Sequence, residues 1–303
     1  MSAIAARIAG APISWGVCEV PGWGLQLTPD RVLSEMSELG FAAIEFGPEG
    51  FLPKSPSDKA TTLARYGLVA VGGFVPVVLH DANHNPLPEI ERELNGYEAA
   101  GADVLVLAAA TGVDGYDEPR PELDMHGWAT LFANLDRIRA AALRRNVRAV
   151  IHPHVGTMVE TRADVDKVLA GSTIPFCLDT GHMLIGGTDP VIFAAEHADR
   201  IGHSHLKDVD AHWAEKVRRG DLSYYDAVVN GLYRPLGQGD VDVRAIVSSL
   251  TAASYSGWFT LEQDNVVSDE PATGEGPIVD ARASVTFLRA VLAELERAPE
   301  AGD

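Results

Sequence analysis

Short apolar runs alternate with longer amphipathic ones along the chain, and the alternation repeats eight times. The strand-like runs are ARIAGAPISW, FAAIEFG, LVAVGGFVPVVL, DVLVLAAA, VRAVIHPH, IPFCLD, RIGHSHL and GWFTLEQD. They are rich in Val, Ile and Phe and mostly lack a strict two-residue alternation, the pattern of strands covered on both faces. Helix ends can be read between them. Thr28 caps a helix with Pro29 at its first position and Gly40 at its end. Ser57 and Gly67 bracket a second, Gly101 closes a third, and further helices run through WATLFANLDRIRAAALRRN, RADVDKVLA, DPVIFAAEHA and SVTFLRAVLAELERA. Eight strand–helix rounds in 303 residues predict an α/β fold, a single (β/α)₈ TIM barrel spanning residues 1–303. The surplus at about 209–240 reads as a helical insertion after strand 7, and about 297–303 as a flexible tail. A doubly wound open sheet is the competing fold. It would leave eight parallel strands unclosed, and GAPISWG is no Gly-rich nucleotide loop.

Composition narrows the partners. Hydrophobic residues at 46% suffice for a large core, and a net charge of -19 repels nucleic acid and anionic membranes. Two cysteines, Cys18 and Cys177, are too few for a disulfide framework and suit a reducing compartment. The N-terminal stretch has no basic n-region, and its apolar run is broken by Arg7, so no signal peptide is read. A cytoplasmic protein acting on a small molecule is expected, with no nucleic acid and no membrane as partner. Self-association as a homo-oligomer would use the insertion, with Trp213, Tyr224, Tyr225 and Tyr233 exposed on it.

In a (β/α)₈ barrel the active site forms at the carboxyl ends of the strands. Strand 2 ends at Glu45, strand 5 at His152 and His154, strand 6 at Asp179 and His182. Strand 7 ends with His203, His205, Lys207 and Asp208, and strand 8 with Glu262 and Asp264. Five of the ten histidines thus stand at or just past strand ends. Imidazoles and carboxylates converging on one pocket are ligand chemistry for Mn²⁺, Co²⁺, Zn²⁺ or Fe²⁺. Asp179-Thr180-Gly181 also matches the aspartic-protease triplet, but that motif needs a second copy on an all-β fold. Glu45 can accept two substrate hydroxyls, and Trp15 can floor the pocket. His203 is expected on the opposite strand face, and one of His80 and His84 at the pocket edge.

The series CLDTGH, RIGHSHLKD, PLGQGDVDVRAIV and WFTLEQD resembles the xylose-isomerase-like barrel superfamily. Within it, APISWG, AAIEFGPEGFLP and HPHVGTMVE resemble the inosose (2-keto-myo-inositol) dehydratases. The resemblance implies one divalent ion, Mn²⁺ or Co²⁺, held by residues at the ends of strands 5 to 8. Three ligands fall on Asp179, His205 and Glu262. At strand 5, where the superfamily has a glutamate, His152 stands instead. Either His152 or Glu160, eight residues on, completes the set; Glu160 alternatively begins the next helix. Epimerases of the superfamily move a proton between two metal-bound glutamates, so this replacement turns the expectation toward a lyase. Dehydration of a cyclic keto-polyol needs a polarised ketone, a base for the α-proton and an acid for the leaving hydroxide. His154, His182, Lys207 and Glu160 are the catalytic candidates, and Glu45, Trp15 and Asp208 the substrate-binding ones. A ketose isomerase or epimerase, and a lyase of oxidised glycosides, are the alternatives on the same scaffold. An endonuclease-IV-like nuclease fits poorly with the acidic charge.

Overall fold

The computed structural model describes residues 7–113 and 115–297. Eight parallel strands close on themselves: β1 (Ile8–Gly10), β2 (Ala43–Glu45), β3 (Val69–Val78), β4 (Val104–Ala110), β5 (Arg148–Ile151), β6 (Phe176–Asp179), β7 (Ile201–Leu206) and, returning to pair with β1, β10 (Phe259–Leu261). The closed TIM barrel is as the alternation predicts. Between β7 and β10 the short strands β8 (Asp208–Val209) and β9 (Tyr233–Arg234) pair antiparallel.

Side-chain parity sorts two cores. Ala9, Ala43, Val71, Val104, Val106, Val150 and Cys177 pack together inside the cylinder, where small residues suit the narrow space. Their neighbours Ile8, Ile44, Leu105, Leu107, Ile151, Phe176, Leu178 and Leu261 face out and join the helices through Val32, Leu33, Met36, Leu131, Leu135 and Ile138. Each such buried side chain contributes roughly 1.5–3 kcal/mol.

Several helix ends fall where local chemistry puts them. The helix Pro29–Leu39 starts with the Thr28 side chain accepting from the Arg31 N–H and ends at Gly40, whose φ of 73° is left-handed. Gly101 ends Leu87–Ala100 in the same way. The cap of the second helix lies two residues before the expected Ser57: the helix spans Pro56–Arg65 after Ser55, because proline at the first helical position needs no donor. The fifth, Arg162–Gly171, opens with a capping box between Thr161 and Asp164. The short helix Thr180–Ile185 and Val243–Ala252 were not among the helices read from the sequence.

The insertion carries helices Ala211–Arg218 and Tyr224–Val229. Two of its four aromatic residues correct the expected contact surface: Tyr224 and Tyr233 are buried, and Trp213 and Tyr225 are partly so. Of the expected tail, only Arg297, which ends the last helix Pro277–Arg297, lies within the described residues. No helix among the described residues is long and apolar enough to cross a membrane.

Candidate active site

The segment Asp179-Thr180-Gly181-His182 organises the rim. Asp179 Oδ1 accepts from the N–H groups of Gly181 (2.9 Å) and His182 (2.8 Å), capping the helix Thr180–Ile185. That leaves Oδ2 turned to the barrel axis. The Thr180 hydroxyl donates to the Lys207 carbonyl at 2.6 Å and accepts the Lys207 N–H at 2.8 Å, tying β6 to β7. A Cβ on Gly181 would stand 2.9 Å from the Tyr233 ring and 3.0 Å from the Lys207 side chain. Only glycine permits so close an approach.

Asp179, His205 and Glu262 come together: one ligand-type atom from each lies within 4.8 Å of the others. His205 Nδ1 is 2.6 Å from Glu262 Oε2 and 3.5 Å from Asp179 Oδ2, while His152 Nε2 is 3.2 Å from Asp179 Oδ2. All four side chains are at least seven-eighths buried. Despite their proximity, His205 Nδ1 and Glu262 Oε2 make no acceptable hydrogen bond among the described residues.

Behind this group sits Glu45. Its Oε1 accepts from His205 Nε2 at 2.8 Å and from His203 Nε2 at 2.7 Å. Burial lowers the His205 pKa, but Cys177, Glu262, Glu45 and Asp179 outweigh it and raise it well above the usual imidazole value, so the ring is protonated, with Nε2–H held by Glu45 and Nδ1 facing the centre of the site. Burial alone would raise the Glu45 pKa, but His205 and His203 outweigh it and hold the carboxyl below its usual range. Three carboxylates, Asp179, Glu262 and Asp264, face the ammonium of Lys207, and a fourth, Glu45, is buried behind His205.

A second cluster adjoins the first. His154 and His182 stack with ring centroids 3.7 Å apart and planes 34° apart. His154 Nδ1 donates to the Val155 carbonyl at 2.6 Å, which leaves Nε2 as a free base. Burial, reinforced by the repulsion that a proton would meet from neighbouring imidazoles (His152 beside His154, His154 beside His182) and from the Lys207 ammonium, holds both imidazoles well below the ordinary pKa, so both are neutral at pH 7. Lys207 stays charged, because Asp179, Asp264 and Glu262 outweigh its burial and raise its pKa. Its three N–H groups go to Asp264 Oδ1 (2.6 Å), His182 Nε2 (3.1 Å) and the gap between Asp179 Oδ2 (3.3 Å) and Glu262 Oε1 (3.4 Å). His182 Nε2 is therefore the acceptor, and the 3.5 Å approach of the Val155 N–H to its Nδ1 is contact only. The Tyr116 ring covers His154 at 4.4 Å, and Tyr116 bonds to Glu19.

Some expected site residues lie elsewhere. Trp15 is not a pocket floor: fully buried, it donates to Glu35 Oε2 at 2.8 Å and packs edge-on to Phe41 between barrel and helix. Glu45 is buried and points into the barrel as a brace for His203 and His205. Asp208 accepts from the N–H groups of Gly237, Gly239 and Val241, so its carboxylate shapes the loop after β9. Glu160 accepts from Gly156 N–H at 3.0 Å and pairs with Arg120 at 3.3 Å, bracing the turn ahead of the Thr161 cap. His203 shares the inward face with His205, as their two-residue spacing requires, and is structural there. His84 is exposed and His80 half-buried on the loop after β3.

The sequence assigns no site role to Asp264 or Tyr116, and to Tyr224 and Tyr233 only a place on a subunit contact. For Asp264 the signal existed, since it follows Glu262 by two residues. The tyrosines carry no such local mark.

Comparison with known proteins agrees with this architecture. The family described as xylose isomerase-like TIM barrel matches residues 33–291. An inosose dehydratase of Geobacillus kaustophilus is 32% identical over 275 residues, covering 85% of this chain and 87% of that protein. Among solved structures, an L-ribulose 3-epimerase superposes with a TM-score of 0.70 at 16% identity, covering 98% of this chain and 99% of its own. A protein called IolI, solved with a zinc atom bound, superposes at 0.67 with 13% identity, covering 95% and 99%. At these identities the two structures bear on the fold alone.

Proposed function

The chain belongs to the xylose isomerase-like TIM barrel family and is an enzyme of the dehydratase kind; from that premise we propose that it is a metal-dependent hydro-lyase removing water from a cyclic keto-polyol, 2-keto-myo-inositol (inosose), in inositol catabolism. One observation carries the reading. A carboxylate–imidazole trio lies beside two neutral imidazoles and an ammonium, an acid–base set that a two-carboxylate epimerase would not need.

The residues fit a divalent cation. Asp179, His205 and Glu262 would hold it, with His152 as the fourth candidate, and its charge would offset much of the excess of buried carboxylate. When bound, the ion would polarise the ketone as a Lewis acid and, by repulsion, draw down the Lys207 pKa. His154 Nε2, neutral and without a hydrogen-bond partner among the described residues, takes the proton from the carbon next to the ketone. Lys207, oriented by His182 and Asp264, gives a proton to the departing hydroxyl. The C–H and C–O bonds break, a C=C bond forms, water leaves, and the resulting enol rearranges to a dione. Each transfer contributes typically about 10²–10⁴-fold.

Protein loaded with Mn²⁺ or Co²⁺ and incubated with inosose should yield a dione absorbing in the ultraviolet. No dione from the metal-loaded enzyme, with epimerised ketose from a ketose substrate instead, would replace the lyase reading by the epimerase one. Because the base must be neutral and its pKa lies below the usual imidazole value, kcat/KM should be flat through pH 7 and fall only well below pH ~6.5. An acid limb centred above pH 7 would remove His154 from that role.

Glu45→Gln keeps an acceptor oxygen but loses the charge behind His205. It should weaken Mn²⁺ binding, measured calorimetrically, by about 10–100-fold. Unaltered affinity would leave Glu45 with a packing role only.

A further inference from the structure

Behind Lys207 runs a chain of buried polar groups of which the reaction as described uses only Asp264. Asp264 Oδ1 meets Lys207 Nζ at 2.6 Å, while Oδ2 of the same carboxylate accepts the Tyr224 hydroxyl. The Tyr224 hydroxyl lies 2.8 Å from that of Tyr233, and the Tyr233 ring stands under the Lys207 ammonium at 5.2 Å. Tyr224 is 1% exposed and Tyr233 5%. Burying two hydroxyls and a carboxylate is costly unless they bond one another, so the arrangement holds one geometry. Tyr224 comes from the insertion after β7 and Asp264 from just beyond β10, with more than thirty residues between them.

We propose that Asp264 and Tyr224 are positioning residues that hold the Lys207 ammonium against His182, and that the insertion after β7 therefore serves the reaction as well as the fold. The physical reason is the flexibility of lysine. Four rotatable bonds let Nζ wander, and the carboxylates of Asp179 and Glu262 would draw it toward the centre of the site. Asp264 pulls from the opposite side, and the Tyr224 hydroxyl fixes which oxygen of Asp264 does so. The cation–π contact with Tyr233 closes the remaining direction. The helix Tyr224–Val229 is itself anchored, since Asp117 accepts from the N–H groups of Tyr224 and Tyr225.

This inference rests on the reading of Lys207 as the acid in dehydration. Tyr224→Phe removes one oxygen and keeps the ring. It should lower kcat about 10- to 100-fold, the cost of misplacing a reacting group, with KM within twofold and Mn²⁺ content unchanged. In a Lys207→Met background the same substitution should have no further effect on the residual rate, because the group it positions is gone. Asp264→Asn should lower kcat at least as far; should it fail to fold, the Tyr224 pair decides. Wild-type enzyme that makes no dione from inosose refutes the functional reading and this inference with it. Active wild type with Tyr224→Phe at unchanged kcat, or with equal losses in both backgrounds, refutes the inference alone.

Discussion

Asp179→Asn is expected to leave the protein folded but without a divalent ion, and to lower turnover by at least about 10³-fold, or about 4 kcal/mol of barrier. The two oxygens of Asp179 do different work. Oδ1 caps the helix Thr180–Ile185, and Oδ2 faces His205, His152 and Lys207. Asparagine retains an oxygen for the cap and substitutes a neutral amide for the charged ligand. Asp179→Ala loses both, so it should also lose about 1 kcal/mol of stability from the uncapped helix. Metal analysis of the purified variants, with melting temperatures beside it, separates the roles. An Asp179→Asn protein carrying a full equivalent of metal, or turning over within tenfold of wild type, would end the case for this site.

Lys207→Met should have nearly as large an effect, for a different reason. It removes the proposed acid, worth about 10²–10⁴-fold, and strips Asp179, Glu262 and Asp264 of the ammonium they share. Removing one partner of a buried ion pair typically costs about 3–5 kcal/mol. Asp179, Glu262 and Asp264 would then repel one another unless a divalent cation lay among them. The variant's melting temperature should therefore fall much further on adding a chelator than wild type's does. Equal chelator shifts in the two proteins, with kcat within tenfold, would show that Lys207 neither balances the site's charge nor serves its chemistry.

Both expectations depend on a site whose outline the sequence carried. Asp179, His205 and Glu262 stand at or next to strand ends, which parallel barrel strands present at one rim, and the family resemblance singled them out from the other residues there. His152 and His154 stood out for the same reason, though β5 ends at Ile151 and the two imidazoles are carried by the loop beyond it. Lys207 was legible from its two-residue spacing to His205. Glu45 shows where such reading fails. Its position at the end of β2 suggested a rim residue open to substrate, yet it turns inward to histidines 158 and 160 positions away. Trp15 failed for the opposite reason: the residue after a strand need not follow the strand's inward face, and the turn Pro12–Trp15 sends it outward to Glu35.

The chain's own pattern determined the number of strands, their burial on both faces, several helix caps and the group of residues gathered at one rim. These are consequences of period, propensity and short-range hydrogen bonding, which act within a few residues. Tertiary structure alone decided that Glu45 orients His205, that Asp208 shapes a loop, that Glu160 pairs with Arg120, and that Tyr224 reaches Lys207 through Asp264. Those partners lie between 29 and 160 positions apart, and they meet only because the sheet closes and its loops fold back over one end. No local pattern records such a meeting, since its free energy exists only once the barrel is complete.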